Sequence, residues 1–458
     1  MSSALDAALQ PHLAAPARPT RPAGPMFPKR RQKEVKVKGW TLALFCVVVY
    51  LWLQHSFKLN IVSETIVIGL LAVLINEKPD YFPEPLKWHA AFLTWSLFTL
   101  PLSDDPSISW AAWMDALKIL VITFLVLSTV TNKKQHRIFT LAWLALFAFY
   151  PVRGVMLNFI THQAISGRYG WNFTFANFND LAALTLIPLA LALDRLRTAD
   201  KKWIKMSAFA GLMVLPFIVM ITQSRGGLLG MCAFLIFLLA RSRYRARLFV
   251  AIGFIAAAGV LFAPSSVWDR YEGMQHLAST DTDELDQADT SAGQRFIIMQ
   301  VALAVIARNP LGVGIGDYPN VHRRMARTRA AFARARGGRD AHNTYLRVAA
   351  EGGLIGFGLF MMIFVSTWRG LTKLAAGVKG STVPADRELA DRCQSYKAAF
   401  VGLGVCALFG SLQMMVFPYL LVALCAATMR IYGKPAPQRV RRFKPIPQPT
   451  FQPRPIAR

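Results

Sequence analysis

The sequence predicts an all-α integral membrane protein of about twelve transmembrane helices, with one long extracytoplasmic loop carrying amphipathic helices. Three observations carry this reading. The chain has 458 residues, is 54% hydrophobic and still bears a formal net charge of +27. Its mean hydropathy of +0.35, with 17% charged residues, separates it from basic soluble proteins, so no nucleic-acid partner is expected. Apolar runs approaching the ~20 residues of a membrane span recur along most of the chain, joined by short links whose basic charge alternates.

Residues 1–39, with "PHLAAPARPTRPAGPMFPKRRQKEVKVK", are Pro/Ala-rich and basic, without a cleavable-signal pattern, and read as a disordered cytoplasmic tail. The polytopic membrane domain, residues 40–432, follows. Its expected spans are Trp40–Leu53, Asn60–Ile75, Trp88–Leu102, Leu117–Val130, Ile138–Val152, Leu181–Leu193, Met206–Ile221, Gly226–Ala240, Leu248–Phe262, Thr344–Trp368, Ala398–Met415 and Tyr419–Tyr432. The links Asn132–Arg137, Asp194–Lys205 and Arg241–Arg247 are rich in Lys and Arg. Placing them in the cytoplasm satisfies the positive-inside rule and puts both termini there too. Residues 433–458 form a second basic, Pro-rich tail; either tail could meet anionic membrane lipids. Cys46, Cys232, Cys406 and Cys425 fall in spans and Cys393 in a cytoplasmic link, so neither a disulfide framework nor a metal spacing is expected.

Two segments on the other side are long: Arg153–Asp180 and the loop 263–341, too long for a simple connector. The loop holds ten arginines and no lysine. A guanidinium binds phosphate oxygens in a bidentate fork where an ammonium is a point charge, so this bias fits either a phosphate ligand or lipid headgroups. Within "YPNVHRRMARTRAAFARARGG", Val321, Met325, Thr328 and Phe332 form an apolar stripe of a helix ended by Gly337-Gly338. Arg323, Arg327 and Arg334 line another face. A helix lying on the membrane surface is the natural picture. The acidic "STDTDELDQADTS" upstream lacks the glycine of a calcium loop and reads as a solvated segment.

Single residues refine the picture. In "TQSRGGLLG", Ser224 is a good N-cap and Arg225 opens the eighth span at its outer end. Free helix N–H groups and a guanidinium pointing the same way make an anion site, although a headgroup-snorkelling arginine has the same sequence. "GRYGWNFTFANFNDLAAL" puts Arg168 between glycines and places Asn177, Asn179 and Asp180 before the sixth span, as caps or as sugar ligands. "RDAHNTYLRVAAEGGLIG" sets His342 and Asn343 at the outer lip of the tenth span. A histidine there is either an interfacial residue or a base facing water and a lipid-borne substrate. Gly352, Gly353 and Gly356 are expected to let this helix pack closely on a neighbour. Tyr345 and Arg347 read as interface anchors, and the role of Glu351 stays open.

These blocks resemble the O-antigen ligase and O-antigen polymerase superfamily of bacterial polytopic membrane glycosyltransferases. The resemblance rests on His342-Asn343 followed by Gly353 and Gly356, on "SRGG" at Ser224–Gly227, on Gly167–Ala182, and on "GQRFIIMQVALAVIARNPLGVGIG" at Gly293–Gly316, in that family's order. It covers about Arg153 to Phe364 and does not separate lipopolysaccharide ligases, glycan polymerases and protein O-glycan ligases. It implies a GT-C-like helical fold in the bacterial inner membrane, a polyprenyl-diphosphate-linked glycan donor, and a glycolipid, glycan or protein acceptor. It also implies a reaction without metal or other cofactor.

The chemistry agrees with the residues. No nucleotide-binding glycine loop is present, and a donor met outside the cytoplasm must arrive already activated. A diphosphate leaving group needs charge neutralisation, which arginines supply, and the acceptor hydroxyl needs a base near pH 7. The expectation is His342 as base and Arg225 as catalytic cation. Arg168, Asn177, Asn179, Arg295, Arg323, Arg327, Arg339 and Asn343 would contact diphosphate or glycan. Two other classes remain open: a glycan-lipid transporter, for which the internal repeat is lacking, and a non-enzymatic scaffold, which would need neither His342 nor Arg225.

Overall fold

Helix α7 (Phe178–Thr198) shows why the chain folds around its middle. It is apolar on every face, and its residues from Asp180 to Arg195 are all buried. Helix α14 (Val416–Tyr432) behaves alike, buried without a break from Val416 to Thr428. These two are the inner helices, and the others surround them in a computed structural model. It describes residues 39–56, 61–76, 81–165, 167–241, 290–328 and 337–433, with a few positions between 245 and 253. The two basic tails, the ninth expected span and the acidic stretch of the long loop lie outside the described residues.

Among those residues the regular elements are helices, and the one β pairing is an isolated bridge between Ile165 and Arg168. Helix starts follow their caps. Thr41 accepts the Leu44 N–H to open α1 (Leu42–His55), and α2 (Val62–Asn76) follows. Pro83 precedes α3 (Glu84–Phe98), while Asp105 and Pro106 open α4 (Pro106–Thr129) and Asn132 caps α5 (Lys133–Phe147). A π-turn at Ala148–Val152, holding Pro151, carries α5 on into α6 (Arg153–Ile160). The expected outer segment Arg153–Asp180 therefore begins as helix. After α7 come α8 (Lys202–Ile221), α9 (Arg225–Arg241), α10 (Thr290–Arg308) and α11 (Tyr318–Thr328). Helices α12 (Thr344–Ala376) and α13 (Pro384–Cys406) then lead to α14. Helix α7 packs on α8, α9 and α13, while α12 packs on α3, α10, α13 and α14.

Four helices are long and apolar enough to cross a membrane: Pro106–Thr129, Lys133–Ile160, Lys202–Ile221 and Thr344–Ala376. Leu42–His55, Val62–Ile75 and Val416–Tyr432 are apolar but shorter. The chain is thus a helical membrane protein.

Three expectations change. The span expected at Ala398–Met415 is displaced. Helix α13 starts fourteen residues earlier, at Pro384, and ends at Cys406, and residues 407–415 turn back against the start of α12. Hydropathy missed its first half because Arg392 and Lys397 are buried against partners far away in sequence, Asp194 and Trp368. Asp194, expected in a cytoplasmic link, is a buried residue of α7 that pairs with Arg195 and accepts from Arg392 Nε at 2.9 Å. Cys393, also expected in a link, is buried within α13; all five cysteines are free.

The feature that positions the site is a break in α12. Gly353 has φ 65° and ψ −173°, a conformation outside the helix that glycine alone adopts readily. The interruption leaves carbonyls of the preceding turn without helical donors. The loop after α10 supplies them: Val313 N–H donates to Ala350 O (3.0 Å) and Gly314 N–H to Glu351 O (3.0 Å). Trp95 Nε1 of α3 donates to Gly352 O at 2.7 Å, and Leu354 N–H in turn donates to Pro310 O at 3.1 Å. A side chain at Gly353 would meet the Leu311 and Pro310 backbone at 2.4 Å, and one at Gly312 (φ 96°) would meet Glu351 O at 2.3 Å. The expectation that these glycines pack an unbroken helix on its neighbour is corrected: Gly353 breaks the helix, and Gly356 packs against Trp95. Farther along the loop, Asp317 is fully buried and accepts from the Asp104 N–H at 2.6 Å, pinning the loop to the start of α4.

Candidate active site

The starts of α7, α9 and α12 meet at one end of the bundle. Ser224 caps α9, accepting the Gly227 N–H at 3.1 Å, and its hydroxyl donates to Asn179 Oδ1 of α7 at 2.8 Å. Asn179 Oδ1 also accepts from Arg168 at 3.3 Å. Arg168 Nε donates to Thr222 O (2.7 Å), and its guanidinium lies 4.4 Å from the centre of the Phe178 ring. Arg168 thus ties the segment before α7 to the turn between α8 and α9. Asn177 is exposed and caps α7, its side chain accepting the Asn179 N–H at 2.9 Å. Of the two roles the sequence left open for Asn177, its geometry supplies the cap.

Asn343 is likewise a cap. It is buried, and its Oδ1 accepts the Leu346 N–H at 3.0 Å. Thr344 fastens this helix start to the returning segment after α13: its hydroxyl donates to Gly410 O (2.7 Å) and accepts the Leu412 N–H (2.8 Å). Tyr345 and Arg347, expected as interface anchors, both have partners inside the fold. Tyr345 donates to Gly404 O at 2.8 Å, and Arg347 bridges Asp340 Oδ1 (3.0 Å) and the buried Glu351 Oε1 (2.9 Å). Asp340 Oδ1 also accepts from Ser411 at 2.8 Å.

His342 stands between these anchored neighbours with φ 47°, a left-handed conformation unusual for a side chain with a Cβ. Gln223, two residues before Arg225, is the same at φ 51°. Strained backbone of this kind persists only where surrounding structure holds it, and it flanks the site on both sides. The imidazole is half-buried and makes no hydrogen bond among the described residues. Burial lowers its pKa below the ordinary histidine value; Asp340 pulls the other way, and Arg295, Arg339 and Arg347 add to the lowering. The lowering favours the neutral ring, the form a base needs.

Beside it lies a small pocket lined by Asn179, Asp180, Ser224, Arg295, Phe409 and Gly410, among others. Arg295 lines the pocket and also acts on His342, which joins the two halves of the site. Arg225 opens the helix whose first glycines, Gly226 and Gly227, form one wall. Arg323 and Arg327 are exposed on α11, with the Arg323 guanidinium over Gly338, and Arg339 is exposed just ahead of His342. None of the three lines the pocket. The apolar stripe of α11 holds at Val321 and Met325, both buried, whereas Thr328 is exposed; Phe332 and Arg334 lie outside the described residues.

Asp340 is the group the sequence did not single out, whereas Asp180 stood open between a helix cap and a sugar ligand. Burial, with Asp340 adding to it, pushes Asp180 up from the ordinary aspartate range to about 7.

A groove runs from this end along α12 and α13. Its volume is about 320 Å³, and it is lined by Thr344 and Leu412 near the site and by Phe364, Phe400 and Trp368 farther along.

Fold and site together define a helical membrane protein with a pocket at one end of its bundle, lined by Arg295 and flanked by strained backbone at Gln223 and His342. Residues 209–361 match the family model described as O-antigen ligase, a stretch that holds Arg225, Arg295, His342 and the Gly353 break. That stretch, about a third of the chain, is similar to the O-antigen ligase family. No curated protein matches it.

Proposed function

We propose that the protein moves a glycan from a polyprenyl-diphosphate donor to an acceptor hydroxyl at the periplasmic face of a bacterial inner membrane, as an O-antigen ligase does. The observation that carries this is His342: an imidazole with a lowered pKa and no hydrogen bond among the described residues, held in strained backbone beside an arginine shared with the pocket. In this reading His342 takes the proton of the acceptor hydroxyl as its oxygen attacks the anomeric carbon. The anomeric C–O bond to the diphosphate breaks, and polyprenyl diphosphate leaves with the electron pair, inverting the anomeric centre. Arg225 and Arg295 neutralise the charge that develops on the diphosphate, with Arg323, Arg327 and Arg339 along its approach.

The groove between α12 and α13 suits the polyprenyl tail. It is apolar along its length, and its near end at Thr344 lies two residues from His342. A GT-C-like arrangement of about twelve spans with both termini cytoplasmic completes the reading. It is supported by the position of the Lys- and Arg-rich connectors around Lys133 and Lys201–Lys202, at the opposite ends of α5, α7 and α8 from the pocket. The alternative within the superfamily is a repeat-unit polymerase or a protein O-glycan ligase.

Glycan analysis of a deletion strain tests the reading. Loss of attached polymer, with lipid-linked polymer accumulating, is the ligase result. Loss of polymer with single repeat units still attached means polymerase, and glycan missing from proteins alone means protein ligase. Unchanged glycans on every acceptor would sink the enzymatic reading.

A further inference from the structure

Asp180 lies at the third position of α7, where the helix dipole and a bond back to the cap would ordinarily explain an acid. The bond back to the cap is not made here, and the dipole alone does not account for the burial. Asn177 caps the helix with its own side chain, and among the described residues Asp180 makes no side-chain hydrogen bond and no ion pair. The residue is only 9% exposed, and it faces the pocket shared with Arg295, Ser224, Asn179 and Phe409. A second carboxylate, Asp340, acts on it from the segment ahead of α12. A buried carboxyl with no internal partner is costly to keep unless something else satisfies it.

The ligand that fits is a polyol. A carboxylate accepts hydrogen bonds from sugar hydroxyls, Arg295 donates to the same hydroxyls, and Phe409 offers an aromatic ring at the pocket edge. A diphosphate suits this corner less well than a polyol, because Asp340, and Asp180 when ionised, would repel it. The site is therefore divided: anion chemistry at Arg225 and the outer side of Arg295, hydroxyl chemistry at Asp180. We propose that Asp180 is a sugar-hydroxyl ligand that seats the acceptor glycan beside His342, and so is a further substrate-contacting residue of the transfer. The proposal rests on the glycosyltransferase reading above.

The same geometry fixes the sign of a stability measurement. Folding raises the Asp180 pKa to about 7, above its ordinary value, so the stability linked to its proton is full at low pH and is lost as pH rises through 7. The titratable groups that line or act on the pocket are Asp340, Arg295 and Cys406. Asp180→Asn removes the loss while keeping the shape.

The experiment uses the full-length protein in lipid nanodiscs, with a radiolabelled polyprenyl-diphosphate-linked oligosaccharide as donor and a sugar-terminated glycolipid as acceptor. The expected result for Asp180→Asn is a melting temperature at pH 8 equal to wild type or higher by about 2–4 °C. Its donor KM should stay within three-fold, and transfer at subsaturating acceptor should fall at least ten-fold. Asp180→Ser should show the same kinetic loss. Transfer within three-fold of wild type, a donor KM rising as far as it does in Arg225→Lys, or a clear fall in melting temperature would each overturn the assignment. In the last case Asp180 would be a structural acid. Wild-type protein that transfers nothing from this donor would instead overturn the underlying glycosyltransferase reading, and the assignment with it.

Discussion

Replacing Gly353 with alanine should damage the site without touching any group proposed to act in it. The native backbone there, φ 65° and ψ −173°, is a glycine conformation that costs another residue about 1–3 kcal/mol. The new Cβ would also stand 2.4 Å from the Leu311 and Pro310 backbone, so the loop after α10 must move away. That movement weakens the hydrogen bonds Val313 to Ala350, Gly314 to Glu351 and Leu354 to Pro310, at about 1 kcal/mol each. Strain and lost bonds together come to roughly 4–6 kcal/mol. The assay is thermal unfolding of detergent-purified protein, read beside transfer from a lipid-linked donor. Gly358→Ala in the same helix is the control: nothing lies within 4 Å of its Cβ position, so it should be neutral or slightly stabilising. If both variants melt within two degrees of wild type, α12 tolerates an ordinary helix at Gly353. The account of how His342 is held would then be wrong.

His342→Gln should lose transfer by about 10²–10⁴-fold while the protein folds and binds donor, since an amide cannot take a proton. Wild-type activity should rise with pH through a midpoint below about 6.5, because burial first, and then the neighbouring arginines, disfavour the imidazolium. A Gln variant within a few-fold of wild type would leave His342 as a positioning residue only. Arg225→Lys keeps charge but loses the guanidinium fork and should drop transfer at least ten-fold, whereas Lys at the exposed Arg308 should be harmless; equal tolerance at both would reduce Arg225 to a headgroup contact. A cysteine placed at Ser279 in a cysteine-free background should react with an impermeant reagent in intact spheroplasts; labelling seen only after lysis would invert the topology.

The sequence made some of this site legible and hid the rest for physical reasons. Ser224 was readable as a cap, and Arg225 as the opening residue of the helix behind it, because capping is a local pattern that spans three or four residues. His342 stood out through its neighbours. Asn343 and Asn177 share those motifs, yet their side chains turn out to close helix ends. Asp180 stood open between a cap and a sugar ligand because its character depends on Asp340 and on burial, and no local pattern brings those two segments together. Gly353 reads as a packing glycine in any apolar run. Its broken conformation exists only because the loop from Pro310 to Gly316 docks its amides onto carbonyls about forty residues further on. The same limit displaced α13: Arg392 and Lys397 read as solvent-facing until Asp194 and Trp368 arrive from other helices.

The division of the pocket follows from the way α12 begins. Arg347 pairs with both Asp340 and Glu351, so its charge is committed and cannot serve the donor's phosphates. Asp340 is anchored by that arginine and by Ser411, and its field reaches His342 on one side and Asp180 on the other. A rigid negative group at this point has two effects. It offsets part of the lowering that burial and the arginines impose on the imidazole, and it disfavours phosphate at the corner proposed for a sugar hydroxyl. Both effects need Asp340 fixed just ahead of α12, against Arg347 in the first turn of the helix that the Gly353 break and the loop clasped to it hold in place.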